Sequence, residues 1–137
     1  MKMIESFKNT STYISLKKHS DSEIEGLEKK LNYKFPPLYK AFLQEIGSGY
    51  FSIEYNCTLP NGASLQTFYS LNAIQKLTED YSMNEIPKNY IPFGADNSGS
   101  LFCFRNNNET IYYLDNSFHT VDEISKDFES LLQLIKP

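Results

Sequence analysis

The residues of this chain that could carry out chemistry are few and widely spaced. Its two histidines, His19 and His119, and its two cysteines, Cys57 and Cys103, form no Cys-x-x-Cys or His-x-x-x-His motif of the kind that holds zinc. The sequence contains neither a Gly-x-x-x-x-Gly-Lys-Ser/Thr phosphate-binding loop nor a Gly-x-Ser-x-Gly nucleophile elbow. We therefore expect no catalytic residue, no metal site and no cofactor, and the chain is not predicted to be an enzyme.

Paired carboxylates, which could serve as general acid and base, have a simpler explanation here. Asp122 with Glu123 and Asp127 with Glu129 are the densest acids, and both pairs fall near the predicted start of a helix. Acidic side chains at that position offset the positive end of the helix dipole.

Cys103 lies between two phenylalanines, where a small buried thiol is the ordinary interpretation.

Charge is distributed unevenly along the chain. Residues 1–76 contain nine Lys and seven acidic residues, whereas residues 77–137 contain four Lys or Arg and ten acidic residues, a balance of +2 against −6. Nucleic-acid binding needs a concentrated basic surface, so we expect no nucleic-acid partner. The acidic half suits a basic protein partner, although the same excess of acid also serves solubility.

The length of 137 residues predicts a single domain spanning 1–137. No apolar run approaches the ~18 residues that cross a bilayer, and the first residues lack the apolar core of a signal peptide. We expect a cytoplasmic protein that does not enter a membrane.

The elements alternate between helical and extended patterns. A capping box at Ser20 and Glu23 opens a predicted helix of about three turns. Pro36-Pro37 opens a second helix that stops at Gly47 and Gly49, and a third runs from its cap Asn72 to about residue 81. A last helix, capped by Ser125, carries apolar residues at helical spacing: Phe128, Leu131, Leu132 and Ile135.

Extended patterns fill the middle of the chain. Residues 50–55 and 65–69 predict a hairpin around Pro60-Asn61-Gly62. Three aromatic-rich runs, 90–93, 101–104 and 111–114, are separated by polar turns and predict an antiparallel meander, and residues 118–121 predict a further short strand. The predicted fold class is α+β, with a central antiparallel sheet packed by an N-terminal helix pair, a middle helix and a C-terminal helix.

The order of these motifs resembles the SMI1/KNR4 (SUKH) superfamily over nearly the whole chain. The matching pieces are Phe35-Pro36-Pro37-Leu38-Tyr39-Lys40-Ala41-Phe42-Leu43, Gly47 with Gly49, Ile91-Pro92-Phe93-Gly94 with Asp96, and Phe128-Glu129-Ser130-Leu131-Leu132. The resemblance implies an α+β domain whose bacterial members are mostly immunity proteins, which bind a cognate polymorphic toxin and block it. Some members instead resemble regulatory or scaffolding adaptors. The chain departs from many members at Arg105, where they carry an acidic residue.

We therefore expect a protein partner. The leading hypothesis is a toxin domain such as a nuclease, and the alternative is a host protein bound by an adaptor. An acidic surface would speed association with a basic toxin, and tyrosines are economical contact residues. The candidate partner-binding residues are Asp96, Glu109, Asp115, Asp122, Tyr55 and Tyr113, with Tyr50 and Tyr69 as further tyrosines.

Overall fold

The structure, a computed structural model, describes residues 12–52, 59–79, 86–105, 108–116 and 120–135. These residues form seven strands and four helices: β1 Tyr13–Lys17, α1 Asp21–Leu31, α2 Pro37–Glu45, β2 Ser48–Phe51, β3 Leu65–Phe68, α3 Leu71–Glu79, β4 Tyr90–Asp96, β5 Leu101–Arg105, β6 Ile111–Asp115, β7 Thr120–Ser125 and α4 Phe128–Leu134.

Every strand pairs antiparallel with the next one along the chain, so the sheet order runs from β1 to β7. The predicted α+β class and the meander of β4, β5 and β6 are confirmed. The hairpin of β2 and β3 is also confirmed, although β2 begins at Ser48 and residues 53–58 lie outside the described residues.

Two strands differ from the prediction. Strand β1 was not predicted, because its five residues are few and lie just before the first capped helix. Strand β7 continues to Ser125, beyond the predicted end at residue 121, while residues 117–119 lie outside the described part. Pairing with β6 extends β7, because each of its residues from Thr120 to Glu123 lies opposite a β6 residue.

The first two helices begin as predicted. The Ser20 hydroxyl accepts a hydrogen bond from the Glu23 amide, and the Glu23 carboxylate accepts one from the Ser20 amide, which completes the capping box. Buried Glu28 then joins the helices, because its carboxylate accepts a hydrogen bond from the Phe35 amide at 2.7 Å and lies 3.3 Å from the Lys40 ammonium. These bonds fix the start of α2 against α1.

Two predicted caps are wrong by two residues. Helix α3 begins at Leu71, and the hydroxyl of Ser70, rather than Asn72, accepts the hydrogen bond from an amide of its first turn. At α4 the cap is Asp127, whose carboxylate accepts from the Ser130 amide at 2.8 Å, and not Ser125. In both places residues of several capping types are close together in the sequence, so the residue type alone does not decide between them.

Aromatic rings fill the core between the sheet and helices α1, α2 and α4. The ring of Tyr39 lies 4.9 Å from that of Phe104 and 5.2 Å from that of Phe128, and Phe93 stacks on Phe104 at 4.4 Å. Such pairs add about 0.5–1.5 kcal/mol each beyond the burial of their area. These four rings come from α2, β4, β5 and α4, so the cluster connects helices to the centre of the sheet.

Candidate protein-binding surface

The face of the sheet opposite the aromatic core carries a continuous and mostly apolar row, here called the outer row. Direct cross-strand pairing aligns one residue from each of the seven strands: Ile14, Tyr50, Thr67, Ala95, Leu101, Leu114 and Val121. With strands about 4.8 Å apart, the row is about 29 Å long. Its ends are open, since Ile14 and Tyr50 are each 37% exposed and Val121 is 43% exposed.

Over the second half of the outer row lies a groove of about 510 Å³, here called the outer groove. Strands β5 to β7 form one side of it, and Tyr69, Leu77 of α3 and Ile86-Pro87 form the other. Its lining is mostly apolar, with polar groups at one end from Gly99, Asp115, Asn116 and Thr120. The combination of apolar walls and a few polar groups is typical of binding sites.

Asp96 organises the turn at the polar end of this groove. The residue is 8% exposed, and one carboxylate oxygen accepts hydrogen bonds from the Ser98 amide at 3.0 Å, the Ser98 hydroxyl at 2.7 Å and the Ser100 amide at 3.0 Å. The other oxygen accepts from the hydroxyl of Tyr113. Asp96 therefore holds the β4–β5 turn against β6 and does not present its charge on the surface.

Tyr113 is buried as well, at 7% exposed, with its ring 5.2 Å from that of Phe102. Burial, followed by the hydrogen bond to Asp96, raises the pKa of the Tyr113 hydroxyl. Asp96 and Tyr113, two of the predicted partner-binding residues, are thus bonded to each other beneath the surface, where they support the groove.

The other predicted acidic residues separate into two places. Asp115 lines the outer groove, and exposed Asp122 lies across the same strand pair, opposite Tyr113. Glu109 precedes the other end of β6, about 20 Å away along the strand. Burial raises the pKa of Tyr33, and the charge of Glu109 adds to that rise. The sequence could not reveal this separation, because it depends on which strands pair.

Of the predicted tyrosines, Tyr50 lies in the open part of the outer row and Tyr69 in the wall of the groove. Burial is the main cause of the raised pKa of Tyr69. Tyr55 lies outside the described residues. An aromatic cluster that the sequence analysis did not anticipate lies near the other end of β5, where the Arg105 guanidinium is 5.7 Å from the ring of Tyr90 and 6.0 Å from that of Tyr112.

One arrangement superficially resembles a hydrolase triad. The Nε2 atom of His19 lies 3.2 Å from the Ser48 hydroxyl, and its Nδ1 atom lies 3.8 Å from the Glu23 carboxylate. Both His19 and Ser48 are 3% exposed, and the Ser48 hydroxyl donates to the backbone carbonyl of Lys17. A nucleophile must reach its substrate, and the buried Ser48 hydroxyl is not placed to do so. The contacts instead connect the ends of β1 and β2 with the start of α1.

The one cysteine among the described residues is equally enclosed. Cys103 is a buried free thiol whose pKa is raised well above its usual value by burial, which disfavours the reactive thiolate. Within the described ranges, no three His, Cys, Asp or Glu side chains lie close enough together to hold a metal ion. None of the helices in the part of the chain that the structure describes is long and apolar enough to cross a membrane. His119 lies outside these residues.

Comparison with known proteins agrees with the fold. Residues 18–134 match the family described as SMI1 / KNR4 family (SUKH-1), and this range includes every strand and helix except β1. No curated protein sequence matches the chain. Because the match covers far more than half of the sequence, the chain belongs to the SMI1 / KNR4 family (SUKH-1).

Proposed function

We propose that this protein is an immunity protein, which binds a cognate toxin domain and blocks its active site or substrate path. The observation that carries the proposal is membership of a family that is known for immunity proteins and is generally non-catalytic. The buried state of Cys103, His19 and Ser48 supports the same view, since none of these groups is placed to act on a substrate.

The acidic edge of the sheet is the proposed contact with the toxin. Asp115 at the end of β6 and the exposed pair Asp122 and Glu123 on β7 concentrate negative charge on two adjacent strands. An opposite charge on the partner accelerates diffusional encounter and makes it dependent on salt. A stable inhibitory complex needs an interface of about 1,600 Å² in total, so the acidic edge would form part of a larger surface.

The experiment is a growth-rescue assay with the product of the neighbouring gene as the candidate toxin. Wild-type chain should restore growth of cells that express this product, and the two proteins should co-purify. In the double variant Asp122→Lys, Glu123→Lys, association should slow by about tenfold at low salt and lose most of its salt dependence. The variant Glu25→Lys, which reverses an exposed charge on α1, is the matched control and should associate like wild type.

Failure of the wild-type chain to restore growth or to bind the neighbouring gene product would contradict the immunity role. An isolated gene without an adjacent toxin would favour the alternative, an adaptor domain that binds a host protein. Unchanged association rates in the double variant, with intact rescue, would refute the acidic edge while leaving the immunity role in place.

A further inference from the structure

We propose that the outer groove is the docking site for an apolar side chain carried on a Lys- or Arg-rich segment of the partner protein. The inference rests on the protein-binding role proposed above and adds to it the chemistry of the contact. It concerns a surface of the fold that lies apart from the aromatic core and that the sequence pattern alone did not reveal.

The lining of the groove selects an apolar group. Its walls are formed by Tyr69, Leu77, Ile86, Leu101, Leu114 and Val121, which come from both sides of the cleft. A volume of about 510 Å³ is within the usual range for a binding pocket and exceeds what one Leu or Phe side chain needs. Interfaces are commonly anchored in this way, by one or two large side chains that enter a pocket and lose their contact with water.

Charge decides which kind of segment carries the apolar group. Among the described residues that line the groove, Asp115 is the only charged one. Glu123 lies opposite Tyr112, so it points to the same face of the sheet as the outer row, two residues from Val121. The negative charges of Asp115 and Glu123 would attract lysines or arginines beside the inserted side chain, whereas an acidic segment would be repelled.

The same charges argue against a second copy of this chain as the occupant. Two copies related by a two-fold axis through this face would bring Asp115 and Glu123 of each close to those of the other. Residues 77–137 carry a balance of −6, so this approach would be unfavourable. A basic partner relieves that repulsion.

The polar end of the groove is held in shape before binding. Gly99 and Asn116 line its polar end, and the Asn116 amide donates to the Ser100 hydroxyl at 3.0 Å. Asp96 and Tyr113 hold the same turn from beneath. A surface whose rim is already fixed loses little conformational freedom when a partner binds. The outer row continues from the groove to Tyr50 and Ile14, which offers further apolar contact.

Short random peptides displayed on phage test the proposal without knowledge of the toxin. The full-length chain is the bait, and the enriched peptides are synthesised and measured by fluorescence anisotropy. We expect enrichment of Leu, Ile, Met or Phe next to Lys or Arg. Binding to Val121→Arg should be weaker by at least about tenfold, because the new guanidinium occupies the margin of the groove and repels the basic segment.

The matched control is Leu134→Arg, which places the same side chain at a leucine of α4 that is 39% exposed. It should bind the peptides like wild type. If Val121→Arg does not fold, Thr120→Arg, at an exposed residue of the groove lining, replaces it. Thermal melts establish that the variants are folded.

The proposal is overturned if no peptide is enriched, if the enriched peptides are acidic, or if they bind Val121→Arg and wild type equally. Sedimentation that shows a wild-type dimer, lost in Val121→Arg, would overturn it in favour of a second copy. Selection of basic apolar peptides by a chain that fails to protect cells would refute the immunity role and leave the groove's binding chemistry supported.

Discussion

Removing one oxygen atom from each of two buried tyrosines should have opposite effects on stability. The hydroxyl of Tyr113 donates to the carboxylate of Asp96, whereas the hydroxyl of Tyr39 is buried and has no hydrogen-bond partner among the described atoms. Both side chains are in the core, so the substitutions Tyr113→Phe and Tyr39→Phe change the same group in similar surroundings. The difference between them isolates the value of the hydrogen bond.

The size of each change in the free energy of unfolding follows from the hydrogen-bond partners of the hydroxyl that is removed. A hydrogen bond to a charged group contributes about 1.5–3 kcal/mol net, and Asp96 keeps three other donors after Tyr113→Phe. We therefore expect Tyr113→Phe to lower the free energy of unfolding by about 2 kcal/mol. Tyr39→Phe removes an oxygen that was desolvated without compensation, and should raise that free energy by up to about 1 kcal/mol.

Urea unfolding followed by far-UV circular dichroism measures both values, and the two variants should melt about 10 °C apart. Tyr112→Phe is the control, because its half-buried hydroxyl accepts only a long, exposed bond from Asn108 at 3.4 Å, and it should stay within about 0.5 kcal/mol of wild type. A double-mutant cycle with Asp96→Asn should give a coupling of about 1 kcal/mol. Equal losses in Tyr113→Phe and Tyr39→Phe would refute the reasoning.

Three further predictions concern single substitutions, and urea unfolding measures the free energy of unfolding in each case. Gly26→Ala should raise the free energy of unfolding by about 0.5–1 kcal/mol, because it adds a helix-favouring methyl group in open space. Gly49→Ala should lower it by about 3 kcal/mol or more, because the new Cβ would lie 2.0 Å from a β1 carbonyl oxygen. A larger loss in Gly26→Ala than in Gly49→Ala would contradict the packing of β1 against β2. Asp127→Ala should lower the free energy of unfolding by about 1 kcal/mol, and Ser125→Ala should lower it by less. A larger loss in Ser125→Ala would mean that the cap of α4 is wrongly assigned. Burial lowers the pKa of His19 despite the opposing charge of Glu23, so the unfolded chain binds the proton first, and stability should fall as the pH drops below about 6.5. In His19→Gln the decline between about pH 7 and 5.5 should be shallower, and an unchanged decline would refute the assignment.

Local chemistry in the sequence correctly predicted the starts of α1 and α2 and the meander of β4, β5 and β6. The capping box at Ser20 and the first-turn proline at Pro37 act within a few residues, so their effects can be read without the fold. The same holds for the three aromatic runs separated by polar turns. Strand β1 was missed because its five residues gain their partners from β2, more than thirty residues later in the chain.

The candidate surface was harder to predict because burial depends on distant partners. The sequence places Asp96 in a polar turn, where a carboxylate is often exposed. Its hydrogen bond with Tyr113, seventeen residues later, instead holds it in the interior of the protein. The outer row likewise needs the register of six strand pairs before its members can be identified, and a shift of one residue in any pair would turn a strand's side chains to the other face. Neither fact is contained in the local pattern.

Tyr113, Asp96 and the β4–β5 turn connect the two faces of this sheet. Tyr113 points into the aromatic core, where its ring contacts Phe102, and its hydroxyl reaches the carboxylate that fixes the β4–β5 turn. That turn contributes Gly99 to the rim of the outer groove on the opposite face. Packing of the core therefore determines the position of the rim, so Asp96 and Tyr113 support the outer groove from beneath, whereas the exposed residues Val121, Asp122 and Glu123 can be changed without removing that support.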